Sequence, residues 1–299
     1  MRKKSVLKLL FFTIILFVIL NFIYENWNLA NCMTGYILYT EKKQVESLER
    51  NTNNIYVYDF NNDTTSTYSL PDYQYIYSIN KYYGGDFCCL GIKPNENINE
   101  ILLFKDNKLE KTYSVSNNIE ELLCYDNSIF FLSEQKLYKS SSSNFQPTIF
   151  TDDIVDYFDI NQDGNILIGR RTNTSELFLS YYDKDNQKKD IGLVSSCSGW
   201  ISKDSILVKK DNIVYTINVN NNKMKKHKYI DDFLTTMAIS TKGGKVLNRF
   251  YAKGSEINIP CGIIDINKKK AYRYAFSERN FERDDIGNVG KYDYIWLDN

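Results

Sequence analysis

The chain has 299 residues, 43% of them hydrophobic, with 37 basic and 37 acidic residues and no net charge. Four bases and no acids lie in the first 24 residues, so the remainder is slightly acidic. That balance excludes a nucleic-acid-binding surface and a polybasic lipid-binding role for the folded part, both of which need a basic patch.

Residues 1–30 stand apart. Arg2, Lys3, Lys4 and Lys8 precede or open an apolar run, and Val6 to Ile23 spans 18 residues. As a helix this is about 27 Å, close to the hydrocarbon thickness of a bilayer. The basic flank is expected on the cytoplasmic side, which places everything after Tyr24 outside. The expected organisation is a single-pass anchor in the cell membrane (residues 1–30, membrane contact through 6–23) followed by an extracytoplasmic domain (31–299). A cleaved signal peptide is the second reading, but Glu25-Asn26-Trp27-Asn28 lacks the small residues of a cleavage site. A lipoprotein signal is third, since Leu29-Ala30-Asn31-Cys32 departs from the lipobox at Asn31.

The rest reads as strands. Gly35 to Leu70 provides Tyr36–Tyr39, Ile55–Phe60 and Thr65–Leu70, and Lys42–Arg50 is expected to form a short helical turn. Further on, strands rich in Ile, Leu, Phe and Tyr recur between polar turns. Starts of a first strand fall at Tyr75, Glu121, Asp156, Cys197, Thr236 and Asp293, 35 to 57 residues apart. Third-strand segments keep step at Ile55, Ile101, Gln135, Leu177, Ile213 and Cys261. Such spacing matches propeller blades of four strands, none of which buries both faces alone. The opening strands lack an inner partner and Tyr292–Leu297 lacks any partner, so pairing the two would close a ring of six blades. The expected fold is all-β: a β-propeller of six four-stranded blades, closed by a blade shared between the N- and C-terminal strands, plus one N-terminal transmembrane helix.

The sharpest unit is Asp156 to Leu193. Phe158-Asp159-Ile160 ends one strand, Asn161-Gln162-Asp163-Gly164 is turn chemistry, and Asn165–Gly169 starts the next. This strand, turn and strand ending in Gly resembles the repeats of TolB-like and related six-bladed propellers. The resemblance covers residues 35–299, by pattern alone outside Asn161–Asn165. It implies a fold used mostly for binding proteins or ligands and sometimes fused to hydrolases.

Asp159, Asn161 and Asp163 also match the first half of a calcium loop, but Leu167 and Arg170 stand where later ligands are needed. A plain hairpin turn is the preferred reading. Cys32, Cys88, Cys89, Cys124, Cys197 and Cys261 have no metal-ligand spacing and are expected as buried thiols. The single histidine, His227, lies in the charged stretch Lys223–Lys228 and is expected to titrate in solvent. No phosphate-binding loop, dinucleotide glycine cluster or nucleophile elbow is present, so no cofactor is expected and a Ser–His–Asp triad is improbable. Paired carboxylates stay possible, because sequence does not show which acids approach each other.

Only eight of the 37 basic residues are arginine. In the blade register, loops joining strands two to three and four to one share one face. Arg50, Arg170, Arg171, Arg279 and Arg283 fall in or beside such loops, Arg249 ends a strand pointing there, and Asp284 and Asp285 interleave. Arginine's planar fork suits carboxylate or phosphate. The expected function is a membrane-anchored extracytoplasmic module or scaffold that binds a protein or an anionic envelope ligand through Arg170, Arg171, Arg249, Arg279, Arg283, Asp284 and Asp285. The alternative is a cell-envelope glycan or peptide hydrolase or lyase using paired carboxylates.

Overall fold

The computed structural model describes residues 13–24, 34–45, 48–62, 64–94, 98–116, 118–228, 230, 235–240, 242–249, 261–272 and 294–297. The chain divides into two compact units, Met1–Thr34 and Gly35–Asn299. In the first, residues 13–24 form a helix, α1, whose side chains are all exposed, Phe17 and Phe22 among them. No helix among the described residues is long and apolar enough to cross a membrane.

The second unit is built from strands. The first sheet contains β1 (Tyr36–Val45), β2 (Leu48–Asp59) and β3 (Thr64–Ser69). Next come β4 (Tyr75–Tyr83), β5 (Phe87–Ile92), β6 (Asn99–Lys105) and β7 (Lys108–Val115). They are followed by β8 (Glu121–Tyr125), β9 (Ser128–Ser133), β10 (Lys136–Ser141) and β11 (Thr148–Ile149). The sharpest sequence unit becomes β12 (Tyr157–Ile160), β13 (Ile166–Arg171), β14 (Leu177–Tyr182) and β15 (Lys188–Val194). Then come β16 (Ser196–Ser202), β17 (Ser205–Lys210), β18 (Ile213–Asn218) and β19 (Lys223–Lys226). The last are β20 (Thr235–Ile239), β21 (Lys245–Arg249), β22 (Cys261–Asp265), β23 (Lys270–Tyr272) and β24 (Tyr294–Leu297). Each group of four is an antiparallel meander. The second and third groups join into one eight-stranded sheet where β4 and β8 pair in parallel, Tyr82 opposite Cys124. β24 pairs antiparallel with β1, Tyr36 opposite Leu297, giving the first sheet the order β24-β1-β2-β3.

Successive sheets pack face to face through separate apolar layers. Leu38 and Ile55 of the first sheet meet Phe87, Cys89 and Phe104 of the second. Cys88, Leu90 and Leu103 on the reverse face meet Leu122, Cys124 and Phe131. Adjacent Cys88 and Cys89 therefore enter different layers, as side chains alternating across a strand must. The pattern continues with Phe130 against Phe158, Leu179 against Ile206, and Leu207 against Val246. Each such fully buried side chain stabilises by about 1.5–3 kcal/mol relative to exposure. Cys88, Cys89, Cys124 and Cys197 are free thiols, and burial pushes the Cys89 and Cys124 thiols well up.

Two expectations are corrected. Lys42–Arg50 is no helical turn: β1 and β2 run on as a long hairpin, with Lys43 opposite Arg50 and a register shift between Thr40 and Lys42. Arg50 thus belongs to a strand, where cross-strand pairing overrides the helix preference of a Glu- and Lys-rich segment. His227 does not titrate in solvent. It is 2% exposed, its backbone N–H donates to the Val214 carbonyl at 3.0 Å, and Nε2 lies 3.0 Å from Thr216 Oγ1. The charged neighbours face water, and the chain folds the imidazole inward where β19 ends. Burial, then the charges of Lys225 and Lys269, push its pKa down.

The innermost strands approach closely enough to require glycine. Gly199 has φ +116°, and a Cβ there would collide with the Asp159 carboxylate of the neighbouring sheet. Gly192 shares a left-handed φ of +119°, but a Cβ there meets nothing within 4 Å. Both substitutions to alanine carry backbone strain, so their difference isolates the clash. Gly199→Ala should cost about 1–3 kcal/mol more than Gly192→Ala in urea unfolding; equal costs would show that the close approach is not tight.

His227 gives a pH prediction. Its folded pKa lies below its unfolded value, so its contribution is intact above about pH 6.5 and is lost as pH falls through the folded pKa. His227→Gln should flatten that part of the acid limb in a stability–pH profile. An unchanged limb would place the transition elsewhere.

Candidate functional site

Antiparallel meanders put all strand one-to-two and three-to-four turns at one end of the sheets, and two-to-three turns at the other. Among the described residues a concavity lies at the first end, between the first two sheets. It is a groove of about 710 Å³, within the range of ligand sites. Leu38, Val57, Phe87 and Leu297 give it an apolar floor. Ser66, Thr67 and Tyr68 of β3 form one wall, and Lys81 to Asp86, at the end of β4 and in its turn, form the other.

Four tyrosines line this groove: Tyr36, Tyr68, Tyr82 and Tyr83. Among the described residues none of their hydroxyls has a hydrogen-bond partner. Tyr36 is 37% exposed, whereas the Tyr68 ring stands edge-on to Phe104, 5.5 Å between centroids. Burial, followed by the charge of Glu110, pushes Tyr82 up to about 12. Burial and then the Asp159 charge push Tyr83 up further still. The Tyr82 and Tyr83 rings therefore stay neutral and act as apolar bodies with a polar tip. The groove's charged side chains are Lys81 and Asp86, and Asp86 already accepts the Asn107 backbone N–H at 2.7 Å. Gly85 is needed in this wall, because a Cβ there would enter the Tyr82 ring.

Lys81 and Tyr83 also line a second concavity among the innermost turns, with Asn161, Trp200, Ser240 and Lys242. It offers only about 10 Å³, room for roughly one water. Beside it, Asp159 accepts the Trp200 N–H at 2.7 Å through Oδ2 and the Ile160 N–H at 2.8 Å through Oδ1. Burial raises its pKa more than Lys81 and those two donors lower it.

Of the residues singled out from sequence, only some fall among the described residues. Asn161 Oδ1 accepts the N–H groups of Asp163 at 3.0 Å and Asn165 at 2.9 Å, and its Nδ2 donates to the Lys203 carbonyl at 2.6 Å. The Asp159 carboxylate faces the next sheet, and Asp163 is exposed, so the calcium-loop trio is spent on closing a hairpin and tying sheets together. Among the described residues no group of three His, Cys, Asp or Glu could hold a metal ion. Arg170 and Arg171 are exposed at the end of β13, the end opposite the groove, and the Arg171 N–H donates to Asp156 Oδ2 at 2.7 Å. Arg249 ends β21, opposite Thr235 and Cys261. Arg279, Arg283, Asp284 and Asp285 lie outside the described residues. Sequence reasoning missed the groove, because its tyrosines come from three strands, β1, β3 and β4, in a chain with 24 of them.

No protein-family model matches this chain, and no curated protein matches it. Solved structures do. The nidogen/laminin complex matches with TM-score 0.54 at 10% identity, over 79% of this chain and 92% of that one. TolB from Acinetobacter baumannii matches with TM-score 0.48 at 14% identity, over 80% and 68%. The tricorn protease matches with TM-score 0.40 at 16% identity, over 80% and 25%. At these identities the likeness shows the fold alone: the chain has a β-propeller-like fold.

Asp159 supplies a test of how dry the centre is. With its folded pKa raised, ionisation is delayed relative to the unfolded chain, so stability falls as pH rises from about 4 until Asp159 ionises. Asp159→Asn should remove that step from the stability–pH curve while lowering stability below it, because one acceptor for a buried N–H is lost. A step that persists in the variant would assign it to another carboxylate.

Proposed function

We propose that this chain is a membrane-anchored, extracytoplasmic binding module: a closed six-bladed propeller that captures a partner in the tyrosine groove. The observation that carries this reading is the groove itself, with its apolar floor and its lining tyrosines. Tyrosine with Ser, Thr, Asn and Gly is the composition by which recognition surfaces combine rigid apolar area with adaptable hydrogen bonding. A propeller in the nidogen/laminin complex serves as a fold precedent for a protein-binding role. Six blades are supported by six groups of four strands, counting β24 with β1–β3. Closure is supported by β24, which pairs with β1 and contacts both β4 and β20. The membrane anchor is supported by the basic start and the apolar run of residues 6–23.

The enzyme alternative is less well served. Both Asp159 oxygens receive backbone N–H groups, and the space beside them holds about one water. That is the setting of a structural carboxylate. The arginine face, with Arg170 and Arg171 exposed, is a second proposed surface for an anionic envelope ligand, and the two faces can be separated.

Full-length protein in detergent would be used to capture partners from envelope extract at low and moderate salt. Tyr36→Ala with Tyr83→Ala should weaken capture at least tenfold, about 1.4 kcal/mol, as removal of aromatic anchors does. Arg170→Glu with Arg171→Glu should leave it intact. The reverse pattern would move the site to the arginine face.

A further inference from the structure

The outermost strands of the sheets differ in how their open edges are protected. β7 carries Lys108, Glu110 and Lys111. β15 carries Lys188 and Lys189, β19 has three lysines in four residues, and β23 begins with Lys270. β11 is only two residues long. Charge, lysine above all, and shortness are the means by which proteins stop a sheet edge from pairing with another chain. β3 has neither. It is six residues long, Thr-Thr-Ser-Thr-Tyr-Ser, with no charge and no proline. No described strand pairs with its outer edge, and the same strand forms a wall of the tyrosine groove.

From this contrast we infer that β3 is a docking edge. An extended, uncharged segment of a partner protein pairs with it as an added strand of the first sheet and places alternate side chains in the groove. This rests on the groove being the binding site. Main-chain hydrogen bonds to an open edge supply affinity in such recognition, and pockets for every second side chain supply specificity.

The register indicates what kind of segment fits. Ser66 lies opposite Val57 and Tyr68 opposite Ile55, so they share the sheet face that borders the groove floor. A second copy of β3 would bring mainly Thr and Ser onto that floor and leave it poorly filled. A partner strand with Val, Ile or Phe at alternate positions buries apolar surface there. The occupant is therefore a heterologous segment with alternating aliphatic or aromatic residues.

The test uses full-length protein in detergent and two fluorescein-labelled peptides, Thr-Val-Thr-Val-Thr-Val and Thr-Pro-Thr-Pro-Thr-Pro. Fluorescence anisotropy should report binding of the first and not the second, because proline removes the donors needed for pairing. Amides of residues 64–69 should gain protection from hydrogen exchange in the complex. Thr65→Lys with Ser69→Lys charges the edge at positions outside the groove lining and should weaken peptide binding at least tenfold. Absence of binding to the folded chain, binding without protection of 64–69, or a doubled particle mass without peptide would each overturn the inference. Partner capture that is lost in Tyr36→Ala with Tyr83→Ala, but kept in Thr65→Lys with Ser69→Lys, would retain the groove and remove the edge pairing.

Discussion

Neighbouring sheets come into close contact along their innermost strands and turns, and the rest of the second unit follows from that approach. A four-stranded sheet with two apolar faces has to be covered twice, and sheets stacked around a centre converge there while their outer strands spread. At the convergence there is no room for ordinary side chains. Gly199 abuts Asp159, Gly243 abuts the Ile201 carbonyl, and the Gly244 N–H donates to that same carbonyl at 2.8 Å. The polar groups carried inward are spent on the neighbour: Asp159 on the Trp200 N–H, Asn161 on the Lys203 carbonyl. Buried polar groups left without partners would cost about 1–3 kcal/mol each, so these ties and the apolar layers between sheets depend on one another.

The same constraint explains why the concavity lies where it does. Between the fifth and sixth groups of strands, a Cβ on Gly243 would meet the Ile201 carbonyl at 2.3 Å, leaving no room for a side chain. Between the first and second sheets, β4 instead runs on to Tyr83 and pairs with β8 on its other side. Its register against β5 shifts between Tyr77 and Asn80, with Ser78 at a positive φ of 52°. A bulge of this kind re-aims a strand. Here the end of β4 leans toward the third group of strands, and the first sheet is left with an open flank lined by Leu38, Val57 and Leu297.

Much of the architecture was legible because it rests on local signals. Alternation and turn residues located β8, β14 and β22 nearly to the residue, and the partnerless strand at Tyr294–Leu297 pointed to its pairing with β1. What failed depended on tertiary context. The Glu- and Lys-rich segment after Thr40 has a helix former's composition, and only pairing with the next strand makes it a hairpin. His227 sits among lysines in sequence, yet the end of β19 turns it beneath Val214 and Thr216. The groove was hidden for a different reason. Arginine is rare in this chain and draws notice, whereas tyrosine is common, and nothing in composition tells a tyrosine in an apolar layer from one in a groove.

The distribution of charge along the outer strands joins these points. Lysine on an edge strand opposes pairing with other chains, and among the described outer strands every longer one but one carries it. The exception belongs to the one sheet assembled from both ends of the folded unit, with β24 beside β1. That sheet also borders the groove. Protection by charge would be self-defeating at a site built to accept a strand, because the lysines that deter aggregation would deter the partner as well. An uncharged edge made of Thr and Ser is a compromise: polar enough to remain in water alone, and free of the charges that would reject an extended segment. The open flank left by the lean of β4 and the unprotected edge of β3 are thus two aspects of one surface, the first giving it shape and the second giving it hydrogen-bonding capacity.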